Sequence, residues 1–411
     1  MGKQKHMHSI LSSAKKHPQT TLFLVTTTLM FMPFYISVPA FLFATLYLIT
    51  KHYKTILTDY KKLGWIGVFI IYAIVISMYN KNTIGIAVGV FLIFFAYYFK
   101  YYRDWIDGVN LLRLLQLIVF SSWWLSVLSI IKYIRYAYAN GYDVWYVFKY
   151  ANVQIRAEAT FFNANYYGLF CIFSILIAMY LFTRIKWRIV RIMYCIIILH
   201  NVISILLTAS RMLLPTLFIS IIWFLLFVDR RWAFVALIGA AAVTGMLIIR
   251  PDLMPRLETI SYGFQDRFLI WETGWRVFKS SPWIGRGLMS YLSFYYQFTN
   301  KAQLHSHNLY LDALANFGII GCILLLITLT HFLRQLVSLI RYEQYRLEIG
   351  LVSAFVLTVL VHGTVDVAIF WIQTGYIFLL LTVPKPLVLC ELSRLPLQKV
   401  HSISSLFFYA E

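Results

Sequence analysis

Leu304-His305-Ser306-His307-Asn308-Leu309-Tyr310-Leu311-Asp312 leads directly into an apolar run that passes through Gly318-Ile319-Ile320-Gly321 and ends near residue 333. A helix needs about 20 apolar residues to cross a bilayer, so this run is long enough to enter one. Two histidines, an asparagine and an aspartate therefore stand where the chain meets the membrane. If Ser306 or Asn308 caps the helix, His307 lies at a helix N-terminus. There the positive end of the dipole disfavours an imidazolium, and a neutral histidine is suited to act as a general base. A purely structural histidine is the plainer alternative.

The rest of the chain agrees with a membrane setting. It has 411 residues, of which 61% are hydrophobic, 18% aromatic and only 13% charged. A soluble domain carries about 25% charged residues. The apolar runs are long rather than ten-residue alternations, which predicts a bundle of helices and not a barrel. The net charge of +20 would suggest nucleic acid for a soluble protein; here it bears on orientation, and no nucleic-acid partner is expected. Cys171, Cys195, Cys322 and Cys390 lie in or beside apolar runs without metal-ligand spacing, and read as small core residues.

About twelve membrane spans are expected, near 19–32, 34–50, 64–80, 83–99, 109–131, 165–183, 189–209, 211–228, 232–249, 308–333, 347–368 and 370–390. The first two are divided at Pro33, and reading them as one bent helix would invert everything downstream. Lys and Arg favour the cytoplasmic side of short loops. With the N-terminus inside and twelve spans, that side receives Lys51, Lys54, Lys61 and Lys62, then Arg184, Lys186 and Arg188, then Arg334, Arg341 and Arg346. Both termini are then cytoplasmic. The division is a cytoplasmic segment 1–18, spans over 19–249, an extracytoplasmic loop 250–307, spans over 308–390 and a cytoplasmic tail 391–411. Within the large loop, Asp266 to Ser280 reads as an amphipathic interfacial helix, with Phe268, Trp271, Trp275 and Phe278 on one side. A second long outer segment covers 132–164.

Several polar residues fall on the outer side. Arg211, in Thr208-Ala209-Ser210-Arg211, sits at a tight turn, with Pro215 removing a helix bond to its carbonyl. Arg267 opens the amphipathic helix one turn before Trp271. Each is either a headgroup anchor or a ligand for phosphate, which arginine grips bidentately. Arg256, Arg276 and Arg286 are weaker candidates of the same kind. His305 and His307 with Asp312 raise zinc, but no further ligand has the usual spacing, and no metal or cofactor is expected. His362, Asp366 and Trp371 mark a further outer turn, where an ionisable pair is a functional hint. Asn163 and Asn165 precede a span and read as helix caps.

Taken together these motifs resemble the O-antigen ligase and polymerase family. His307-Asn308, nine residues, then Gly318-x-x-Gly321 is similar to that family's signature. Arg267 with Trp271, Ser281-Pro282 and Gly285-x-Gly287 resembles the segment before it. Thr208 to Arg211, Phe162 to Asn165 and Asp366 to Trp371 resemble further family elements, and the likeness covers roughly 160–375. The resemblance implies a GT-C-type membrane glycosyltransferase, metal-independent and inverting. It would take a glycan from undecaprenyl diphosphate on the outer face of the bacterial inner membrane and pass it to lipid A–core or to a glycolipid acceptor, as in lipoteichoic acid ligation. Other members use protein or another glycan as acceptor. His307 would activate the acceptor hydroxyl and Arg211 and Arg267 would bind the diphosphate, with His305, Asn308, Asp366 and Trp271 in support. His305 departs from the family's usual residue there. A polymerase is the near alternative. A lipid transporter is the distant one, since no pseudo-symmetric halves are visible.

Overall fold

The computed structural model describes residues 18–149, 156–253, 260–300 and 302–395. Among these the fold is all-helical. Each of the twelve expected spans coincides with helix, but their lengths differ. Eight helices are long and apolar enough to cross a membrane, or nine if the bent pair Ile372–Thr382 and Pro386–Arg394 counts as one span. Trp65–Tyr79 and Leu213–Val228 are shorter apolar helices, and Pro18–Met30 has 13 residues.

The differences have local causes. The expected span 370–390 is not one rod: the chain turns by 76° between Thr382 and Pro386. Pro384 and Pro386 each lack a backbone donor, and Pro386 instead opens the next helix, where a missing N–H is harmless. That helix runs to Arg394, through the expected start of the tail. Gly108–Ala139 is 32 residues long, so the outer segment placed at 132–164 begins as helix. The amphipathic helix spans Ile260–Lys279, longer than expected. It buries Ile270, Val277 and Phe278 and exposes Phe268, Leu269 and Trp275. Residues 1–17 and 396–411, within the expected terminal segments, and 150–155 and 254–259, within the two long loops, lie outside the described residues.

Ala164–Arg184 is the hub. It is buried almost throughout from Ala164 to Leu181 and packs against Gly108–Ala139, Arg188–Leu207, Leu213–Val228, Arg346–His362 and Ile372–Thr382. By contrast Arg230–Ile249 buries only Ala233 and shows Trp232, Phe234, Leu237, Ile238 and Ile249 at its surface. An exposed apolar helix of that kind is stable in lipid, where its own backbone bonds are complete.

Leu309–Ile340 explains the glycine spacing of the opening stretch. The helix is broken at Gly318, whose φ of 61° and ψ of −173° suit only glycine. The Pro282–Gly287 loop fills the break. Ile319 N–H donates to Pro282 O at 2.9 Å and Ile320 N–H to Trp283 O at 3.0 Å, while Arg286 and Gly287 N–H donate back to Ala315 O and Asn316 O. Tyr72 Oη clamps the join, donating to Ile284 O and Phe317 O at 2.9 Å each. A Cβ on Gly318 would meet the amide nitrogen of Gly285.

Candidate functional site

The site is built where the 304–308 segment lies against the turn after Arg346–His362. Asn308 caps Leu309–Ile340, its Oδ1 accepting from Tyr310 N–H at 3.1 Å and Leu311 N–H at 3.0 Å. Its amide donates to Thr364 O at 3.0 Å, and Leu309 N–H donates to Gly363 O at 2.7 Å. Ser306 is not the cap; its N–H and Oγ donate to Asp312 Oδ1 at 3.0 and 3.1 Å. These bonds fix the segment on both sides of His307.

His307 has φ 51°, a left-handed conformation that costs a non-glycine residue about 1–3 kcal/mol unless its surroundings enforce it. Two bonds do so. The His307 N–H donates to His305 Nδ1 at 3.2 Å, and the indole N–H of Trp271 donates to His307 O at 3.3 Å. The bent peptide turns the imidazole inward, placing Nδ1 at 3.3 Å from Asp366 Oδ1. This contact is short but poorly aligned, and Nδ1 makes no full hydrogen bond. Catalytic hydrogen bonds are often loose before substrate arrives and tighten in the complex.

Asp366 is the buried centre, with its side chain only 1% exposed. Oδ1 accepts from Val367 N–H at 2.7 Å, Oδ2 accepts from the Asn165 amide, and His305 Nε2 lies 3.6 Å away. Burial alone would push its pKa up, favouring the protonated carboxyl. The imidazoles of His307, His305 and His362 outweigh that and hold the carboxyl well below the usual carboxylate range, so it stays ionised. Burial pushes His305 below the ordinary histidine range, although Asp366 pulls the other way.

Donor atoms of His305, His307 and Asp366 all lie within 4.8 Å of one another, a His-His-Asp set whose chemistry would suit a zinc-like cation. The partner is Asp366, not the Asp312 raised by the sequence; Asp312 binds Ser306 and Asn316. The hydrogen bonding fits protons better than metal. His305 Nδ1 is an acceptor, so in the neutral ring the proton is on Nε2, the atom that faces Asp366 and Tyr166 Oη at 3.1 Å. A metal at that nitrogen would displace the proton and disrupt the bond to His307.

The two arginine-bearing elements converge on this cluster. Arg267, half-buried, acts electrostatically on the buried His362, one helical turn before Asp366. Arg211 follows the left-handed Ala209 in the turn at the head of Leu213–Val228. That turn is tied to Asp366 by a residue the sequence did not single out: Arg156 donates from Nε to Thr208 O at 2.6 Å and from Nη2 to Asn165 Oδ1 at 3.2 Å. Asn163 caps the hub helix, accepting from Asn165 N–H at 2.8 Å, which leaves the Asn165 side chain to bridge Arg156 and Asp366. Tyr166, also missed, bonds His305 and stacks on Trp371 at 5.2 Å. The signal for both was their position beside the Asn163-x-Asn165 pair. Of the weaker arginines, Arg276 pairs with Glu272 at the surface, Arg286 lies over Phe294, and Arg256 is outside the described residues.

The arrangement is an imidazole held against a buried carboxylate, flanked by two cationic elements, at one end of a membrane bundle. Residues 196–326, which carry Arg211, Arg267, His305, His307 and the glycine break, match the family model described as O-antigen ligase. No curated protein is similar enough to count as a relative. That segment is similar to the O-antigen ligases, and it lies in a bundle whose helices are long and apolar enough for a multi-pass membrane protein.

Proposed function

We propose that the protein is a glycan ligase of GT-C type that moves a preassembled surface glycan from undecaprenyl diphosphate to a lipid-anchored hydroxyl. His307 removes the proton from the acceptor hydroxyl at Nε2. The oxygen attacks the anomeric carbon from the face opposite the diphosphate, and the carbon–oxygen bond to the diphosphate breaks. The electron pair leaves with undecaprenyl diphosphate, and the configuration inverts, as in single-displacement glycosidases with an alcohol replacing water. Asp366 orients His307 and stabilises its imidazolium. Arg211 and Arg267 take the charge growing on the diphosphate, a task positioned cations perform without a metal. In this reading the site faces the extracytoplasmic side of the bacterial inner membrane and both termini are cytoplasmic.

The observation that carries the proposal is the 3.3 Å approach of His307 to the buried Asp366 beside the Arg267 helix and the Arg211 turn. The test is purified protein in liposomes with an undecaprenyl-diphosphate-linked oligosaccharide, with and without a glycolipid acceptor. Transfer is expected only with acceptor, and His307→Ala is expected to abolish it while donor binding survives. Polymer growth without added acceptor would replace the ligase with a polymerase. Wild-type transfer by His307→Ala would remove the base assignment.

A further inference from the structure

Both nitrogens of His305 are engaged within the fold. Nδ1 accepts the His307 N–H at 3.2 Å, and Nε2 lies 3.1 Å from Tyr166 Oη and 3.6 Å from Asp366 Oδ1. The side chain is 12% exposed, against 22% for His307, and the rings meet edge to face with centroids 4.4 Å apart. An imidazole with both nitrogens occupied is poorly placed to collect a proton from a substrate. It is well placed to hold its neighbour.

We infer that His305 is a positioning residue, whose Nδ1 locks the His307 backbone into its left-handed turn and so delivers the His307 ring to Asp366. The inference rests on the reading of His307 as the base. Nδ1 is three bonds from Cα, as is the Oδ1 of an asparagine, and an Asn Oδ1 commonly accepts the N–H two residues on in a turn. Asparagine at 305 therefore keeps the acceptor while losing Nε2, the ring and any proton chemistry. Alanine loses everything. A small displacement of a catalytic group is enough to cost about 100-fold in rate.

Two measurements test this on the full-length protein in detergent or liposomes. Amide hydrogen exchange across 303–309 reads the bond itself and needs no substrate. The His307 amide should exchange slowly in wild type and His305→Asn and about 10-fold or more faster in His305→Ala. Transfer from the undecaprenyl-diphosphate-linked oligosaccharide reads its use. His305→Ala should lose about 10- to 100-fold in kcat with KM for donor unchanged, and His305→Asn should recover most of it. Tyr166→Phe removes the hydroxyl beside Nε2 but keeps the Nδ1 acceptor, so the His307 amide should exchange as slowly as in wild type; it also serves where His305→Ala does not fold. Equal exchange in wild type and His305→Ala overturns the inference. So does an Asn variant as impaired as Ala, or a His307 amide that exchanges about 10-fold faster in Tyr166→Phe. His307→Gln separates the two readings: if it retains transfer, the base assignment falls whatever His305 does, and if it is dead while exchange is unchanged by His305→Ala, only the positioning role falls.

Discussion

Arg184 and Asp366 are both charges buried at helix ends, at opposite ends of the bundle. Arg184 lies 3.5 Å from Glu348 and donates to Tyr180 Oη, Leu392 O, Ser393 O and Leu395 O. At the same end Asp59 accepts from Thr55 and Tyr101 and pairs with Lys100 at 3.1 Å. Asp366 faces two histidines at 3.3 and 3.6 Å instead, neither a fixed cation. The backbone differs in the same sense. Among the described residues the non-glycine residues with left-handed φ are Lys81, Ala159, Phe162, Ala209, Met289 and His307, all in turns at the Asp366 end. At the Arg184 end that conformation falls to Gly64, where it carries no steric penalty. One end is paired and relaxed, as a scaffold is; the other holds strain and a protonatable cluster, as functional sites do.

Removing a group at each end should therefore damage different properties. Asp366→Asn is expected to cost about 1000-fold or more in transfer, within the range general-base machinery supplies, while most of the thermal stability survives. Kinetics and a melting curve on the same preparation check this, and an equal loss of stability would erase the distinction. Glu348→Ala at the other end leaves Arg184 buried without its carboxylate and should destabilise by about 3–5 kcal/mol, with kcat of the folded fraction nearly unchanged. Arg267→Lys keeps the charge but loses the fork, and should raise KM for the diphosphate donor by about 10- to 100-fold, corresponding to about 1.5–3 kcal/mol for a charged hydrogen bond. A lysine variant indistinguishable from wild type would place the diphosphate elsewhere.

The smallest effect is a pH dependence. His305 is held below the ordinary histidine range, so the folded state resists its protonation. Its contribution is present above the unfolded-state value and is lost as pH falls through the depressed folded value. Melting temperature should thus fall between about pH 7 and 5 more steeply in wild type than in His305→Asn, whereas an acid sensitivity arising at the Arg184 end would be the same in both.

Much of the site was legible because its chemistry is local. His307, Asn308 and the two glycines lie on one short stretch, and their spacing reflects a cap, a left-handed turn and a helix break. Arg211 and Arg267 were legible as charges where charges are expensive. Asp366 was visible as an ionisable residue at a turn, but its partnership with His307 is set by packing between segments 59 residues apart in sequence. Arg156 and Tyr166 were harder, since an arginine in a polar loop and a tyrosine among 29 tyrosines carry no periodic signal. Hydropathy located the helices but not their lengths, because it cannot distinguish a full crossing from a short helix packed on the hub. The bend at Pro384 and Pro386 was written in the chain and was hidden by averaging over apolar neighbours.

The break at Gly318 also sets which parts of the molecule share a rotational phase. In a continuous helix each residue turns the next by about 100°, so a shift anywhere along it re-aims everything beyond. Here the Leu309–Phe317 stretch takes its azimuth from the Pro282–Gly287 loop and from Gly363, not from the apolar rod below it. The rod from Ile319 to Ile340 starts on the same loop, through Pro282 O and Trp283 O, so one short connection sets the angle between the segment that carries the imidazole at 307 and the helix that follows it.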